Sequence, residues 1–244
     1  MSETSEGMET PRPSNEHFIT FTLPLIHGPL VKIRIEPSNR EYTVSKNLLC
    51  SESRVFSAMF QGGFRESQEQ TATLQEIEGV LSIQSFEALL QWIYHRIIRF
   101  DETFEESCIE AAVELARLAE MYGITRIEAP ITQYIKDIYA KSGHLNGKPC
   151  RHILPDDEVI VLGTDLREGH PVRRVMAQAF VLTYLQIPKD DRDSDDLGTE
   201  EFPKYGADLL FEVRELLDTL TYRGSAMVRD PITGRKRYLK KDDE

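Results

Sequence analysis

Alternating apolar and polar residues mark the first part of the chain as β-structure. The most regular alternation runs over residues 30–35, and residues 40–44 repeat it after the turn residues 37–39. These segments predict a β-hairpin. Residues 73–77 predict a third strand by the same pattern.

A further alternating segment lies before the hairpin, at residues 18–23. Ile19, Phe21 and Leu23 alternate there with other residues, including two threonines, and predict a strand. The residues alone leave open whether this is a short edge strand or an ordered loop.

Apolar residues spaced three or four apart predict helices over most of the remaining chain. Ser53 is suited to cap a helix, in which Val55, Phe56, Met59 and Phe60 form one apolar stripe. Gly62 and Gly63 predict the end of that helix, in a left-handed conformation. The other predicted helices are a short turn at Leu48-Leu49, one capped by Ser82, one over 105–122, one from Thr125 or Pro130, one from Pro155, one around 172–183 and one over 204–222.

Charge and composition exclude several classes of protein. The 244 residues carry a net charge of −12, which argues against general binding to nucleic acid. No apolar run approaches ~18 residues and no secretory signal is evident, so we expect neither a membrane span nor export. The three cysteines are widely spaced and predict a reducing, intracellular location in the cytoplasm or nucleus.

Few residues suggest chemistry. His144, Cys150 and His152 are three candidate metal ligands on one linker, fewer than the usual four of a structural zinc site. We found no glycine-rich phosphate loop and no nucleophile elbow. The sequence therefore predicts no metal site, no cofactor and no enzyme activity.

A basic cluster lies near the end of the chain, over residues 235–241. It is typical of a nuclear import signal or of a patch for an anionic partner. A solvated run of charge is the interpretation that we favour.

Several motifs resemble those of a known family. They are Gly28-Pro29-x-Val31, Val44-x-Lys46-x-Leu48-Leu49-Cys50, Ser53-x-x-Phe56-x-x-Met59-Phe60, Gly63-Phe64-x-Glu66-Ser67, Phe86 and Trp92-Ile93-Tyr94. In this order they resemble the BTB/POZ domain, most closely the fungal type. Two departures matter: Ser45 stands where the family usually has histidine, and Gly28-Pro29 stand where animal members have a pocket aspartate. We therefore expect no charged-pocket function.

The resemblance implies an α+β protein with the BTB/POZ fold, a small β-sheet packed by α-helices, and a helical C-terminal extension. A pattern that begins at Leu162-Gly163-Thr164 resembles the extension of fungal members. The apolar side chains from Val31 to Ile138 are expected to close into one compact unit. The predicted boundaries are a disordered N-terminus at 1–16, the BTB/POZ domain at 17–142, a linker at 143–152, the extension at 153–222 with an acidic loop at 189–201, and a disordered tail at 223–244.

The resemblance also implies partner surfaces. A homodimer would use Leu48 and Leu49 together with the N-terminal segment, in which Ile19, Phe21 and Leu23 pair with the partner subunit. Adaptors of cullin-3 ubiquitin ligases carry a hydrophobic-x-Glu motif after the Met-Phe helix. Phe60, Phe64 and Glu66 occupy the matching positions here.

Three functions follow as hypotheses, all based on protein partners and none on nucleic acid or membranes. The first is a homodimerising or partner-binding scaffold. The second is a substrate adaptor of a cullin-3-type ubiquitin ligase. The third is a BTB-type transcription regulator, although the sequence has no recognisable DNA-binding module.

Overall fold

The computed structural model describes residues 23–101, 104–142, 157–186, 202–222 and 226–239. Its strands are β1 Leu30–Glu36, β2 Arg40–Ser45, β3 Thr71–Gln75, β4 Thr221–Tyr222, β5 Ala226–Arg229 and β6 Lys236–Tyr238. Its helices are α1 Leu23–Ile26, α2 Lys46–Glu52, α3 Arg54–Gln61, α4 Arg65–Glu69, α5 Ile83–His95, α6 Glu105–Met121, α7 Glu128–Ser142, α8 Asp157–Thr164, α9 Pro171–Gln186 and α10 Pro203–Asp218. The α+β prediction is confirmed.

The chain forms two compact units, one up to Leu74 and one from Gln75 onward. The boundary falls inside the stretch from Val31 to Ile138 that we predicted as one unit. It places Phe56 in the first unit and Trp92 in the second. The division arises because the first sheet and the short helices next to it make most of their close contacts with each other.

The first unit contains a three-stranded sheet with the order β2-β1-β3. β1 and β2 are antiparallel, and Val31 lies opposite Val44. Alternate residues of β1 are buried, as the sequence predicted, and these are Val31, Ile33 and Ile35. β3 begins at Thr71, two residues earlier than predicted, and Ile77 lies outside it.

Two serines begin the helices that follow the hairpin. Ser45 accepts a hydrogen bond from Leu48 N–H at 3.3 Å, and Ser53 accepts one from Phe56 N–H at 3.1 Å. Each hydroxyl therefore satisfies an amide that the first helical turn leaves without a backbone partner. The predicted cap at Ser53 is confirmed.

Gly62 ends α3 for a different reason from the one we predicted. Its φ is −77°, so the backbone there is not left-handed. A Cβ at this position would instead collide with the carbonyl oxygen of Ala58. The glycine is required by close packing of the chain against the last turn of the helix.

The N-terminal prediction is wrong at its last residue. Leu23 opens the short helix α1 rather than ending a strand, and its side chain is half-buried. α1 lies beside α2, and Ser45 donates a hydrogen bond to the carbonyl oxygen of Leu25. Ile19 and Phe21 lie outside the described residues, as does the segment 1–16.

The second unit begins with three helices that share an apolar core. Ser82 and Ser85 form a reciprocal capping box at the start of α5. α6 ends at Met121, and Gly123, just after the helix, has a φ of +67° that suits glycine. A 3₁₀ turn at Thr125–Ile127 leads into α7, which begins at Glu128 rather than at Pro130. The fully buried residues of α6 include Ala112, Val113, Leu115 and Leu118.

The C-terminal helices pack on this core within the same unit. α8 contacts α6, α9 contacts α7, and α10 contacts α9. Two arginines join these elements at the turn between α8 and α9. Arg117 pairs with Asp165 at 2.9 Å, and Arg167 pairs with Glu128 at 2.8 Å and with Glu120 at 3.1 Å. The predicted linker 143–152 and acidic loop 189–201 lie outside the described residues.

The predicted disordered tail is wrong for residues 226–239. This segment forms β5 and β6, which join β4 in a second antiparallel sheet with the order β4-β5-β6. Val228 is buried, and Arg229 N–H donates to Thr219 Oγ1 at 2.9 Å. These contacts tie the sheet to the end of α10. Residues 240–244 lie outside the described part of the chain.

Candidate partner-binding site

The candidate site lies on the connection between α3 and α4. Phe64 occupies the position before the first residue of α4, and its side chain is 61% exposed. Its ring lies over Gly62, since a Cβ on that glycine would come within 3.2 Å of the ring. The glycine therefore allows the ring to lie close to the backbone while most of its surface faces solvent.

Glu66 lies in the first turn of α4 and is half-buried. Arg65 and Glu69 form an ion pair at 2.7 Å on the same helix, so the arginine beside Glu66 is engaged locally. Phe64 and Glu66 thus form a mixed patch in which an exposed ring is adjacent to a carboxylate. Such a patch is suited to an apolar pocket edged by a basic group on a partner.

Phe60 occupies a different environment from Phe64. Its side chain is fully buried, and its ring stacks on that of Phe56 with a centroid separation of 6.3 Å. It belongs to the core under the patch and cannot contact a partner in this arrangement. The glycine pair explains the difference, because it ends the helix before the apolar stripe reaches position 64.

Of the residues predicted for a dimer interface, Leu23, Leu48 and Leu49 lie in the described part of the chain, and none of these three is exposed. Leu48 is 4% exposed and Leu49 is fully buried. As placed, both belong to the core of the first unit. Leu23 is half-buried in α1.

Cysteine chemistry receives no support from the described residues. Burial raises the pKa of the Cys50 thiol, which disfavours the reactive thiolate. Cys108 hydrogen-bonds to Tyr134, and burial together with this contact raises the pKa of the tyrosine. No group of metal-ligating side chains is found among the described residues, and His144, Cys150 and His152 lie outside them.

The second unit contains a groove of about 580 Å³ between α6 and α8 that the sequence did not reveal. Its lining carries six carboxylates and one guanidinium, that of Arg117. The arginine is already held by Asp165 and by the carbonyl oxygen of Gly79, each at 2.9 Å. The spacing of Glu110 and Glu114 by one helical turn was the only sequence signal, and acidic residues at that spacing are common on solvated helices.

A buried histidine was also missed. His170 is fully buried, and its Nδ1 accepts a hydrogen bond from Val172 N–H at 3.2 Å. It therefore acts as the N-cap of α9. The sequence signal was a polar residue directly before Pro171, a frequent first residue of helices.

No helix in the described part of the chain is both long enough and apolar enough to cross a membrane. Residues 29–139 match the family model of the BTB/POZ domain, and this match supports a module for protein–protein interaction.

Proposed function

We propose that the chain is an adaptor that binds a cullin of the cullin-3 type through Phe64 and Glu66. The observation that carries the proposal is the 61% exposure of Phe64 immediately after a core aromatic helix. Exposure of a large apolar ring to water is unfavourable, and the free energy falls when an apolar pocket covers the ring.

The energy available from this ring is appreciable. Burial of a whole phenylalanine side chain is worth about 1.5–3 kcal/mol, so covering the exposed three-fifths is worth about 1–2 kcal/mol. Glu66 adds specificity, because a carboxylate beside the ring favours a partner pocket with a basic rim. The sequence resemblance to cullin-binding adaptors at these two positions selects the class of partner.

The test is calorimetric titration of the whole chain with the N-terminal domain of such a cullin. We expect Phe64→Ala to weaken binding by about 2 kcal/mol, or about 30-fold, as is typical of a central aromatic anchor. Glu66→Lys should weaken it further and reduce the association rate at low salt.

Phe104→Ala is the matched control. Phe104 is 69% exposed and also precedes a helix, so its loss removes a similar apolar surface from another place. The proposal is rejected if the cullin fails to bind, or if Phe64→Ala and Phe104→Ala have equal effects.

Homodimerisation is a second candidate, favoured by Leu30, which is 58% exposed at the start of β1. Light scattering at tens of micromolar should then show a dimer that Leu30→Asp disrupts. A monomer throughout would exclude it. The BTB-type transcription regulator and the fungal affiliation stay predictions from the sequence.

A further inference from the structure

The C-terminal β-hairpin has a fixed turn. Asp230 accepts hydrogen bonds from Ile232 N–H at 2.9 Å and from the Thr233 hydroxyl at 2.7 Å. Gly234 has a φ of +68°, and its N–H donates to the carbonyl oxygen of Asp230 at 2.8 Å. The turn therefore holds β5 and β6 in a defined register.

This hairpin is basic in an acidic protein. Residues 226–239 contain four basic side chains and one acidic one, a net charge of +3, whereas the whole chain carries −12. The one acid, Asp230, is buried by the turn and also lies 3.6 Å from Arg237. Among the described residues, no ion pair is found for the side chains of Arg229, Arg235 and Lys236.

Two of these cations face each other across the hairpin. Arg229 is the cross-strand partner of Lys236. Backbone hydrogen bonds join residue 230 to 235 and residue 239 to 226, so the pair 229/236 is a non-hydrogen-bonded pair. The side chains of such pairs lie close together, and like charges directly opposite are destabilising. An anionic group between them would remove the repulsion.

An aromatic residue lies on the same face. Tyr238 is 56% exposed, lies two residues after Lys236 and therefore points to the same side of the sheet. Met227, its cross-strand partner, is half-buried. The face thus combines two cations with an accessible ring. We call it the basic face, consisting of Arg229, Lys236 and Tyr238.

β6 also presents an edge. It is the last strand in the order β4-β5-β6, and no other described strand pairs with it. At the two ends of β6, the backbone groups of residues 235 and 239 hydrogen-bond to the neighbouring strand, and successive residues of a strand direct these groups to opposite sides. The backbone N–H and C=O groups of Lys236 and Tyr238 therefore point away from β5. An extended peptide can add to such an edge by main-chain hydrogen bonds.

We propose that this edge and the basic face bind an extended acidic segment of a partner protein as an added strand. Acidic side chains at alternate positions of that segment would lie beside Arg229 and Lys236, and Tyr238 would cover an apolar residue. A protein segment fits better than nucleic acid, because only a peptide offers the main-chain N–H and C=O groups that pair with the free edge of β6. The proposal concerns residues other than Phe64 and Glu66 and does not depend on the cullin.

The test uses the whole chain and a fluorescein-labelled peptide of about ten residues that alternates glutamate with valine, the length of a typical strand pairing. Fluorescence anisotropy should show saturable binding that weakens as salt rises from about 50 to 200 mM, because the contact is partly ionic. The same peptide with lysine in place of glutamate should not bind.

Two variants locate the site. Arg229→Ala combined with Lys236→Ala should weaken peptide binding by about tenfold, equivalent to about 1.4 kcal/mol. Lys32→Ala combined with Arg34→Ala is the matched control. This control also removes one lysine and one arginine, but from two exposed positions on β1, and it should leave binding unchanged. Circular dichroism melting should show that the hairpin variant is no less stable than the wild type, since it removes a like-charge pair.

A second comparison tests strand addition. Tyr238→Pro removes the outward N–H as well as the ring, whereas Tyr238→Ala removes the ring alone. Weaker binding by the proline variant supports an added strand, and equal binding overturns it. Tighter binding of a single-stranded oligonucleotide than of the acidic peptide, or binding that the Arg229/Lys236 variant does not reduce, would also overturn the proposal.

Discussion

His170 makes the stability of the second unit sensitive to pH. It caps a helix of 16 residues, accepting a hydrogen bond from Val172 N–H at Nδ1 while its backbone carbonyl accepts one from Arg174 N–H at 3.0 Å. An imidazole that accepts at Nδ1 must be neutral, with its proton on Nε2. Protonation would replace this acceptor with a donor and place a buried positive charge at the positive end of the helix dipole.

The surroundings hold the imidazole neutral. Burial is the main cause that lowers the pKa of His170, and the Arg167 guanidinium acts in the same direction. Glu128 and Glu120 oppose this effect and raise the pKa, but both carboxylates are already hydrogen-bonded to Arg167. The folded-state pKa therefore lies below the unfolded value of about 6.5.

The sign of the pH dependence follows. The contribution of His170 to the free energy of unfolding is complete above pH of about 6.5 and is lost as pH falls through the lower, folded-state pKa. Each unit by which the pKa is lowered is worth about 1.4 kcal/mol.

The perturbation is His170→Asn, because asparagine keeps a capping oxygen but does not titrate. Urea unfolding should be measured between pH of about 5 and 7.5, where the wild type should lose more stability on acidification than the variant. His170→Ala, which removes the cap altogether, should lose about 1 kcal/mol near pH 7.5. Identical pH slopes in the wild type and in His170→Asn would refute the reasoning.

Two further predictions concern the candidate site. Gly62→Ala should lower the free energy of unfolding by about 1–3 kcal/mol, because the new Cβ meets the Ala58 carbonyl oxygen; Gly63→Ala, with nothing within 4 Å, is the control in the same urea titration. Phe60→Ala should cost about 3–5 kcal/mol, since the ring is fully buried, whereas Phe64→Ala should cost about 0.5 kcal/mol or less. Equal losses at the two phenylalanines in thermal or urea unfolding would contradict the assigned environments.

Local chemistry made much of the fold predictable. Ser53 and Ser82 each precede an apolar stripe at helical spacing, and both are N-caps in the structure. The alternation in β1 identified its buried residues because a strand has only two faces. The glycine pair identified the end of α3 but not its cause, since sequence does not show which backbone atom approaches Gly62.

Contacts between distant residues could not be predicted. Arg174 and Glu212 form an ion pair across 38 positions of sequence, and nothing local distinguishes them from other charges. The C-terminal sheet was missed because its strands have only two to four residues, too few for a periodic pattern. The turn residues Asp230, Pro231 and Gly234 were a signal that could have found it.

Within the candidate site, the sequence identified Phe64 and Glu66 but could not separate Phe64 from Phe60. Both are phenylalanines in one motif, four residues apart. Their different exposure depends on where the helix ends. That break places Phe60 on the stripe of Phe56 and leaves Phe64 beyond it.

The arginine contacts at the turn between α8 and α9 bear on how this protein should be divided for experiments. The family match ends at residue 139, yet Arg117 and Glu128 find their partners at Asp165 and Arg167. The side chain of Glu128 is 15% exposed in the whole structure. A fragment that ends at Ser142 would lack Arg167 and would leave Glu128 and Glu120 with no cation between them. We expect such a truncated piece to aggregate or melt early, and the shortest independently folding version to include α10.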